Sequence, residues 1–343
     1  MNRVLVTGGA GFIGSHFVKR LLQTDEVTDV TVLDALTYAG HLENLGTAFF
    51  SPKLTFAEGN ILDAQLVNDL MSRSTAVVHF AAESHVDRSL MDASGFLATN
   101  VLGTQTVLDA AMRHGIEKFV HVSTDEVYGP LLTGCAREED QLRPTVPYAA
   151  SKAASDMVAL SYHCTYGVPV CVTRSSNNYG PGQHPEKIIP LFVTRLLQGD
   201  KVTLHGDGGH VRNWLHVEDN CQGIERVLLD GEPGEVYNLG DGTDLTNREL
   251  TDILLGLCGA GPEAVTYIED RTANDRRYAM DCTKAREIGY QPTRPLVDGL
   301  AETVAWYRDN PHRWAPLLRN PHASRSTIAL APATAPERRK SHA

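Results

Sequence analysis

A glycine-rich loop near the amino terminus is the feature that most constrains how this chain can fold. Residues 7–14 (TGGAGFIG) follow a short apolar run and precede a segment with helical spacing. Glycines at Gly8, Gly11 and Gly14 let backbone N–H groups approach an anion, and the dipole of the following helix favours a phosphate there. The pattern predicts the strand–loop–helix unit of a dinucleotide-binding sheet. An ordinary tight turn is the alternative.

Short apolar runs alternate with helix-length segments through the first half of the chain. This alternation predicts an α/β fold, a Rossmann-like doubly wound parallel sheet with a smaller α/β substrate-binding domain. Predicted strands cover residues 4–7, 30–33, 77–81, 119–123 and 170–173, and predicted helices include 98–114 and 148–166.

The same sequence patterns predict the domain boundaries. We predict a cofactor-binding domain in residues 1–176 with parts of about 211–240, and a substrate-binding domain in 177–210 and about 241–318. Residues 319–343 are rich in Pro, Ala, Ser and Arg without periodicity, and we predict a disordered tail there.

Composition excludes several classes of function. A formal charge of −11 over 343 residues argues against general binding to nucleic acid or to an anionic membrane. The six cysteines lack CxxC spacing, so neither a metal site nor a disulfide framework is expected. We find no signal peptide and no apolar run long enough to span a bilayer. The expectation is a cytoplasmic protein.

An acidic residue supports the dinucleotide interpretation. Asp34 ends the second predicted strand, twenty residues beyond Gly14. At that spacing a carboxylate can accept hydrogen bonds from an adenosine ribose, which favours NAD over its 2′-phosphorylated form.

Tyr148 and Lys152 are four residues apart on a predicted helix and share one face. An ammonium group, together with an oxidised nicotinamide ring, would lower the tyrosine pKa and make Tyr148 a base for a hydroxyl proton. Such pairs also occur by chance as solvated side chains. Their position downstream of a dinucleotide loop favours the catalytic interpretation.

The run Thr124, Asp125 and Glu126 follows the strand predicted over 119–123. Ligands bind at the carboxyl ends of such strands, and two carboxyl groups in a dry cleft can serve as an acid and a base. Two alternatives stay open. Ser123 and Glu126 fit a helix capping box, and acids within a strand would point to opposite faces.

Taken together, these motifs resemble the dTDP-glucose 4,6-dehydratases of the extended short-chain dehydrogenase/reductase superfamily. The glycine loop and the Tyr148/Lys152 couple are typical of the superfamily, whereas the run 123–129 is more specific. The segments that carry the resemblance are 7–14, 81–89, 123–129, 148–152, 177–181, 185–187 and 275–278.

The resemblance implies a reaction and roles for the residues. Tyr148 would take the proton of the 4-hydroxyl as hydride passes to NAD⁺, Glu126 would remove the carbon 5 proton, and Asp125 would protonate the departing 6-hydroxyl. Thr124 would bond the sugar near its 4-hydroxyl. The product would be dTDP-4-keto-6-deoxyglucose.

The resemblance also implies two sets of binding residues. The cofactor would contact Phe12, Ile13, Asp34, Ala35, Leu36, Thr37, Asn60, Ile61, Ala81, Ala82, Ser84, Thr99, Tyr148, Lys152 and Asn178. The substrate would contact Ser84, Thr124, Asn177, Lys187, His205, Arg212, Asn238, Arg271 and Asn274. Four positions depart from the family pattern and bear mainly on the nucleotide contacts: Asn60, His205, Asn213 and Asn274.

Other functions remain to be weighed. A UDP- or CDP-sugar 4,6-dehydratase would share every motif, whereas a 4-epimerase or decarboxylase would not need Asp125 and Glu126. A non-catalytic NAD-binding protein on the same fold could dispense with the acids and Tyr148. The resemblance further implies a homodimer, paired through the segments 98–114 and 148–166.

Overall fold

The computed structural model describes residues 2–270 and 275–319. Its strands are β1 Arg3–Thr7, β2 Asp29–Asp34, β3 Leu54–Glu58, β4 Ala76–His79, β5 Lys118–Thr124, β6 Val170–Ser175, β7 Asn177–Tyr179, β8 Val202–His205, β9 Val211–His216, β10 Val236–Leu239, β11 Asp244–Thr246 and β12 Val265–Ile268. The segment predicted as a tail lies outside the described residues, apart from Arg319.

Helices lie between these strands. They are α1 Phe12–Leu21, α2 Ala64–Met71, α3 Val86–Met91, α4 Ala93–Leu97, α5 Thr104–His114, α6 Pro147–Tyr166, α7 Ile188–Leu197, α8 Val217–Asp230, α9 Asn247–Cys258, α10 Thr283–Glu287, α11 Leu296–Asp309 and α12 Pro311–Arg319. A π-helical turn, Ala98–Gly103, joins α4 to α5, so the helix predicted over 98–114 is divided. In the part of the chain that is described, no helix is long and apolar enough to cross a membrane.

Seven parallel strands form the central sheet in the order β10-β6-β5-β4-β1-β2-β3. This confirms the predicted Rossmann-like fold. The sequence prediction missed the two edge strands of this sheet, β3 and β10. Leu54–Glu58 and Val236–Leu239 each mix polar and apolar residues and lack the continuous apolar run of a buried strand.

Side chains alternate between the two faces of the sheet, and each face is covered by helices. Val4 and Val6 belong to one apolar cluster, whereas Leu5 between them belongs to another. A third cluster lies among α7, α9 and α11 and includes Phe192, Leu254 and Leu300. The first two clusters pack helices against the two faces of the sheet, and the third stabilises the segments that follow β6.

Candidate active site

The glycine loop lies against the neighbouring strand so closely that side chains have no room. Gly8 has φ +71°, and a Cβ there would lie 2.7 Å from the backbone nitrogen of Ala81. A Cβ on Gly14 would lie 2.2 Å from the carbonyl oxygen of Gly8. The bare backbone at the start of α1 therefore forms a cradle of the kind that admits a pyrophosphate.

Asp34 organises the loop beside this cradle. Its Oδ2 accepts from the backbone nitrogen of Ala10 at 2.9 Å, and its Oδ1 accepts from that of Leu36 at 2.9 Å. Leu36 adopts φ 48°, an uncommon conformation for a residue with a side chain. Burial raises the pKa of Asp34. The carboxylate is thus held in place before any ligand contacts it, with lone pairs left for a ribose hydroxyl.

A cleft of about 330 Å³ opens from this cradle along the carboxyl ends of the strands. The predicted cofactor residues that line it are Gly8, Gly11, Phe12, Ile13, Gly14, Asp34, Ala35, Thr37, Asn60, Ile61, Ala81, Ala82, Ser84, Thr99, Tyr148, Lys152 and Asn178. Leu36 is not among the lining residues, and its structural contact is the hydrogen bond to Asp34.

The acid run lies at the other end of the same cleft. β5 ends at Thr124, and a single 3₁₀ turn, Asp125–Tyr128, follows it. The cap of this turn is Thr124, whose Oγ1 accepts from the backbone nitrogen of Glu126 at 3.3 Å. Because Asp125 and Glu126 belong to a turn, the strand alternative does not apply, and both line the cleft.

Tyr148 and Lys152 face the cleft from α6, which begins at Pro147. The side chain of Thr124 acts on the hydroxyl of Tyr148 in the direction that lowers its pKa. Burial, and then the charge of Glu126, raise the pKa of Tyr148, so the protein alone does not produce the lowered value expected from the sequence. Lys152 donates to the carbonyl oxygen of Val122 at 2.7 Å, and burial lowers its pKa to about 8.

Burial and neighbouring charges give Asp125 and Glu126 different tendencies to hold a proton. Burial, followed by the charge of Glu126, raises the pKa of Asp125 to about 7. Burial also raises the pKa of Glu126, but Arg212 and Lys187 act in the opposite direction. Neighbouring carboxyl groups in such surroundings hold a proton between them, and the cations favour the ionised form at Glu126.

The predicted substrate residues are only partly brought together. Asn177, Lys187, Ser84 and Thr124 line the cleft. Arg212 on β9 lies beyond them, close enough for its charge to act on both acids, and its guanidinium carbon is 4.7 Å from the centroid of the Tyr278 ring.

Two further predicted residues lie away from the cleft lining. His205 Nδ1 is 3.3 Å from the carbonyl oxygen of Glu269. Asn238 is fully buried, accepts from the hydroxyl of Tyr128 at 2.7 Å and donates to the carbonyl oxygen of Ala136 at 3.2 Å. In this structure Asn238 therefore joins β10 to the loop beside it. Arg271 and Asn274 lie outside the described residues.

Sequence reasoning assigned no role to two charged or titratable cleft residues, His184 and Glu186. Glu83, within the range 81–84 that the resemblance places along the cofactor, also lines the cleft. Asn247 is the first residue of α9, and its buried Oδ1 has no hydrogen-bond partner among the described residues. It follows β11, which pairs with the strand of Arg212, so a polar ligand near that strand could satisfy it. Glu186 lies in a segment that carries the resemblance, 185–187, whereas only polar character could have pointed to His184 and Asn247.

A parallel sheet with a glycine cradle, an acidic residue at the end of β2 and a Tyr148/Lys152 couple facing one cleft defines a short-chain dehydrogenase/reductase. Residues 5–303 match the family model described as GDP-mannose 4,6 dehydratase. The chain belongs to this family.

Individual relatives show where within the family the chain falls. It is 55% identical to a dTDP-glucose 4,6-dehydratase of Streptomyces antibioticus over 93% of this chain and 96% of the relative. It is 54% identical to one of Actinoplanes sp., over 91% and 99% respectively. A double mutant of DesIV, a dTDP-glucose 4,6-dehydratase of Streptomyces venezuelae solved with NAD bound, superposes with a TM-score of 0.90 at 53% identity, over 92% of this chain and 99% of that one. The resemblance to this group is confirmed.

Proposed function

We propose that the chain is a dTDP-glucose 4,6-dehydratase, which converts dTDP-glucose to dTDP-4-keto-6-deoxyglucose and water. The observation that carries the proposal is the convergence of Thr124, Asp125, Glu126 and Tyr148 on one cleft that begins at a dinucleotide cradle. A dehydrogenase needs only the tyrosine and lysine. An elimination needs an acid and a base as well, and the cleft supplies both.

The cradle fits NAD. Gly8 and Gly14 leave room for a pyrophosphate, and Asp34 is fixed where it can accept from a ribose hydroxyl. Lys152 and Asn178 line the opposite end, where the nicotinamide ribose would lie. When bound, NAD⁺ would accept hydride from carbon 4, return it to carbon 6 and bring a positive charge beside Tyr148.

Tyr148 handles the first proton. Its hydroxyl and that of Thr124 line the same cleft, so a sugar 4-hydroxyl placed between them would have a donor and an acceptor at hand. The raised pKa keeps Tyr148 protonated in the protein alone. The ammonium of Lys152 and the positive charge of the cofactor favour the phenolate once the cleft is filled.

Asp125 and Glu126 divide the elimination. Oxidation at carbon 4 makes the carbon 5 proton acidic, and Glu126, ionised opposite Arg212 and Lys187, removes it. The bond from carbon 6 to its hydroxyl oxygen then breaks, and Asp125 supplies the proton that completes the water. Glu126 returns its proton to carbon 5 and is ionised again. The proton that Tyr148 took from the 4-hydroxyl replaces the one that Asp125 gave to the departing water, so all three groups are ready for another cycle.

The nucleotide diphosphate would lie on the basic side of the cleft. Lys187 and Arg212 act on Glu126 there, and Asn177 lines the same cleft. Ammonium and guanidinium groups make strong charge-assisted bonds to phosphates. We assign these residues to the substrate, and the cofactor to residues 1–176 with parts of 211–240.

The reaction is tested by incubating the purified protein with dTDP-glucose and measuring the alkali-induced absorbance of a 4-keto sugar. Parallel reactions with UDP-, CDP- and GDP-glucose test the nucleotide. A signal only with UDP- or CDP-glucose would replace the dTDP assignment. No signal with any of the four would favour a non-catalytic NAD-binding protein, and interconversion to a 4-epimer would favour an epimerase.

We further propose that the protein is a cytoplasmic homodimer. Apolar side chains stand exposed along α3, α4, the following π-turn and α6: Leu90 52%, Met91 89%, Leu97 50%, Leu102 54% and Met157 66%. A second copy packed on these helices would cover them. The six cysteines are all free, as in a reducing compartment. Light scattering on the purified protein measures the mass in solution.

A further inference from the structure

Three segments remote in sequence meet in a charged cluster beside the cleft. They are the loop after β2 with Tyr38, helix α3 with Arg88, and the residues before α7 with Glu186. Two nitrogens of Arg88 contact the same carboxylate oxygen, Oε2 of Glu186, Nε at 3.2 Å and Nη2 at 3.1 Å. The guanidinium carbon of Arg88 also lies 3.8 Å from the centroid of the Tyr38 ring. We call these three residues the Arg88 clasp.

Two histidines also face Glu186, but they do not supply its positive partner near neutral pH. His85 Nε2 is 3.8 Å from Glu186 Oε2, and His184 Nδ1 is 3.7 Å from Oε1. Burial is the main cause that lowers the pKa of each histidine to about 4. Because both rings are neutral above that pH, the charge of Glu186 is balanced within this cluster by Arg88.

The clasp lies beside the cleft and joins segments that line it. Glu186 lines it, as do Thr37 and Ser84, which are neighbours of the other clasp segments. The ring of Tyr38 packs edge-on against that of His184, with 5.7 Å between the ring centroids. This contact joins the loop that follows Asp34 to the polypeptide that carries Lys187.

The clasp also holds a substrate residue in place. Nζ of Lys187 donates to the carbonyl oxygen of Ser84 at 2.7 Å, across the same gap that Arg88 and Glu186 span. Glu186 is the largest of the charges that favour the ammonium form of Lys187 against the effect of burial. The ion pair therefore acts on both sides of the cleft.

We infer that Arg88 and Glu186 are positioning residues that hold the cleft closed over the dinucleotide, so that the reduced cofactor stays on the protein until hydride is returned. This inference rests on the proposed function, because only a reaction that takes and returns the same hydride needs the cofactor to be retained. Neither residue handles a reacting atom. The cofactor-binding half and the segment of Lys187 would separate more readily without the pair.

The test measures how fast NADH leaves the protein. The bound cofactor is first exchanged for NADH. The NADH complex is then mixed with excess NAD⁺, and the loss of bound-NADH fluorescence is followed. For Arg88→Met and Glu186→Gln we expect dissociation to be about tenfold faster, the change that about 1.4 kcal/mol produces. Arg88→Lys keeps the charge but loses the two-nitrogen contact, and should fall between wild type and Arg88→Met.

The matched control is Arg226→Met, which removes an arginine from an exposed pair with Asp230 on α8. It should leave the NADH dissociation rate unchanged. A second measurement detects NADH that leaves during turnover of dTDP-glucose, because lactate dehydrogenase and pyruvate added in excess convert released NADH to lactate. With Arg88→Met, the amount of lactate formed per 4-keto sugar should be about tenfold higher than with wild type. Thermal unfolding of each variant shows whether faster NADH dissociation comes from an unstable protein or from a cleft that opens more readily.

The outcomes are distinct. Unchanged dissociation rates in folded Arg88→Met or Glu186→Gln would overturn the inference, and if Arg88→Met does not fold, Glu186→Gln and Arg88→Lys decide. Wild-type protein that binds NADH but forms no 4-keto sugar would overturn the proposed function instead. In that case the dissociation measurement still tests whether the pair closes the cleft, since it needs no sugar substrate.

Discussion

Nζ of Lys152 donates a hydrogen bond to the carbonyl oxygen of Val122 over 2.7 Å, which joins α6 to the end of β5. Tyr148 lies one helical turn before Lys152, and the acid turn begins three residues after Val122. The bond therefore sets the position of Tyr148 relative to Asp125. It also gives Lys152 a structural contact in addition to the proposed role toward the cofactor.

Replacing Lys152 should weaken the attachment of α6 to β5 and should remove the positive charge near Tyr148. For Lys152→Met we expect kcat to fall by about 10²-fold or more, the contribution typical of acid–base assistance. Initial rates of 4-keto sugar formation measure it. Lys284→Met, at an exposed pair with Glu235, is the control and should retain activity. A wild-type kcat in Lys152→Met would exclude the proposed role.

Tyr148→Phe should stop oxidation at carbon 4, because no base would then accept the 4-hydroxyl proton. A single-turnover experiment that follows the absorbance of enzyme-bound NADH should show no rise with this variant. Tyr166→Phe on the exposed end of the same helix should behave as wild type. Normal NADH formation in Tyr148→Phe would assign the base elsewhere.

Replacing each of the two acids should block a different step of the reaction. Glu126→Gln should still oxidise carbon 4 but should not exchange the carbon 5 proton with solvent, because the proposed base is gone. Asp125→Asn should exchange that proton while losing water slowly. Mass spectrometry of substrate recovered from deuterium oxide measures the exchange. Rapid deuterium uptake with Glu126→Gln, or none with Asp125→Asn, would contradict the division of roles.

The buried carboxyl of Asp125 should make stability depend on pH. Its folded pKa of about 7 lies above the ordinary value, so the folded state binds the proton more tightly than the unfolded chain does. The resulting stability is present at acid pH and is lost as pH rises toward about 7. Asp125→Asn removes this loss and should unfold at higher urea than wild type at about pH 8 but not at about pH 4.

The pH dependence of kcat should reflect the same carboxyl group, that of Asp125. Because Asp125 is proposed to act in its protonated form, kcat should decline as the pH rises through the pKa of the acid pair. The corresponding limb should disappear from the pH profile of the residual activity of Asp125→Asn. A profile that keeps the same limb would show that another group controls it.

Gly8→Ala should destabilise the protein and weaken NAD binding. The new Cβ would combine a positive φ with a contact of 2.7 Å to the Ala81 backbone. Backbone strain of this kind costs about 1–3 kcal/mol, apart from the steric clash. Gly115→Ala is the matched control, because Gly115 has φ +61° but nothing within 4 Å of its Cβ position. Urea unfolding and NAD titration should show the larger loss for Gly8→Ala, and equal losses would exclude a special role for the cradle.

The sequence alone determined the parallel sheet, the glycine cradle and the edge at which Thr124, Asp125, Glu126, Tyr148 and Lys152 meet. These features depend on local patterns: short apolar runs pair as buried strands, and parallel pairing brings their carboxyl ends to one edge. A polar–apolar strand such as Leu54–Glu58 lacks that pattern and was missed.

Only the tertiary structure decided which polar side chains from distant segments bond to one another around the cleft. Asn238 bonds to Tyr128, 110 residues away, and Arg88 to Glu186, 98 residues away. No local periodicity encodes such partners, because they depend on how loops pack once the sheet has formed. The same packing sets burial, which raises the pKa of Asp125, Glu126 and Tyr148, and it places Arg212 and Lys187 where their charges favour the ionised form of Glu126.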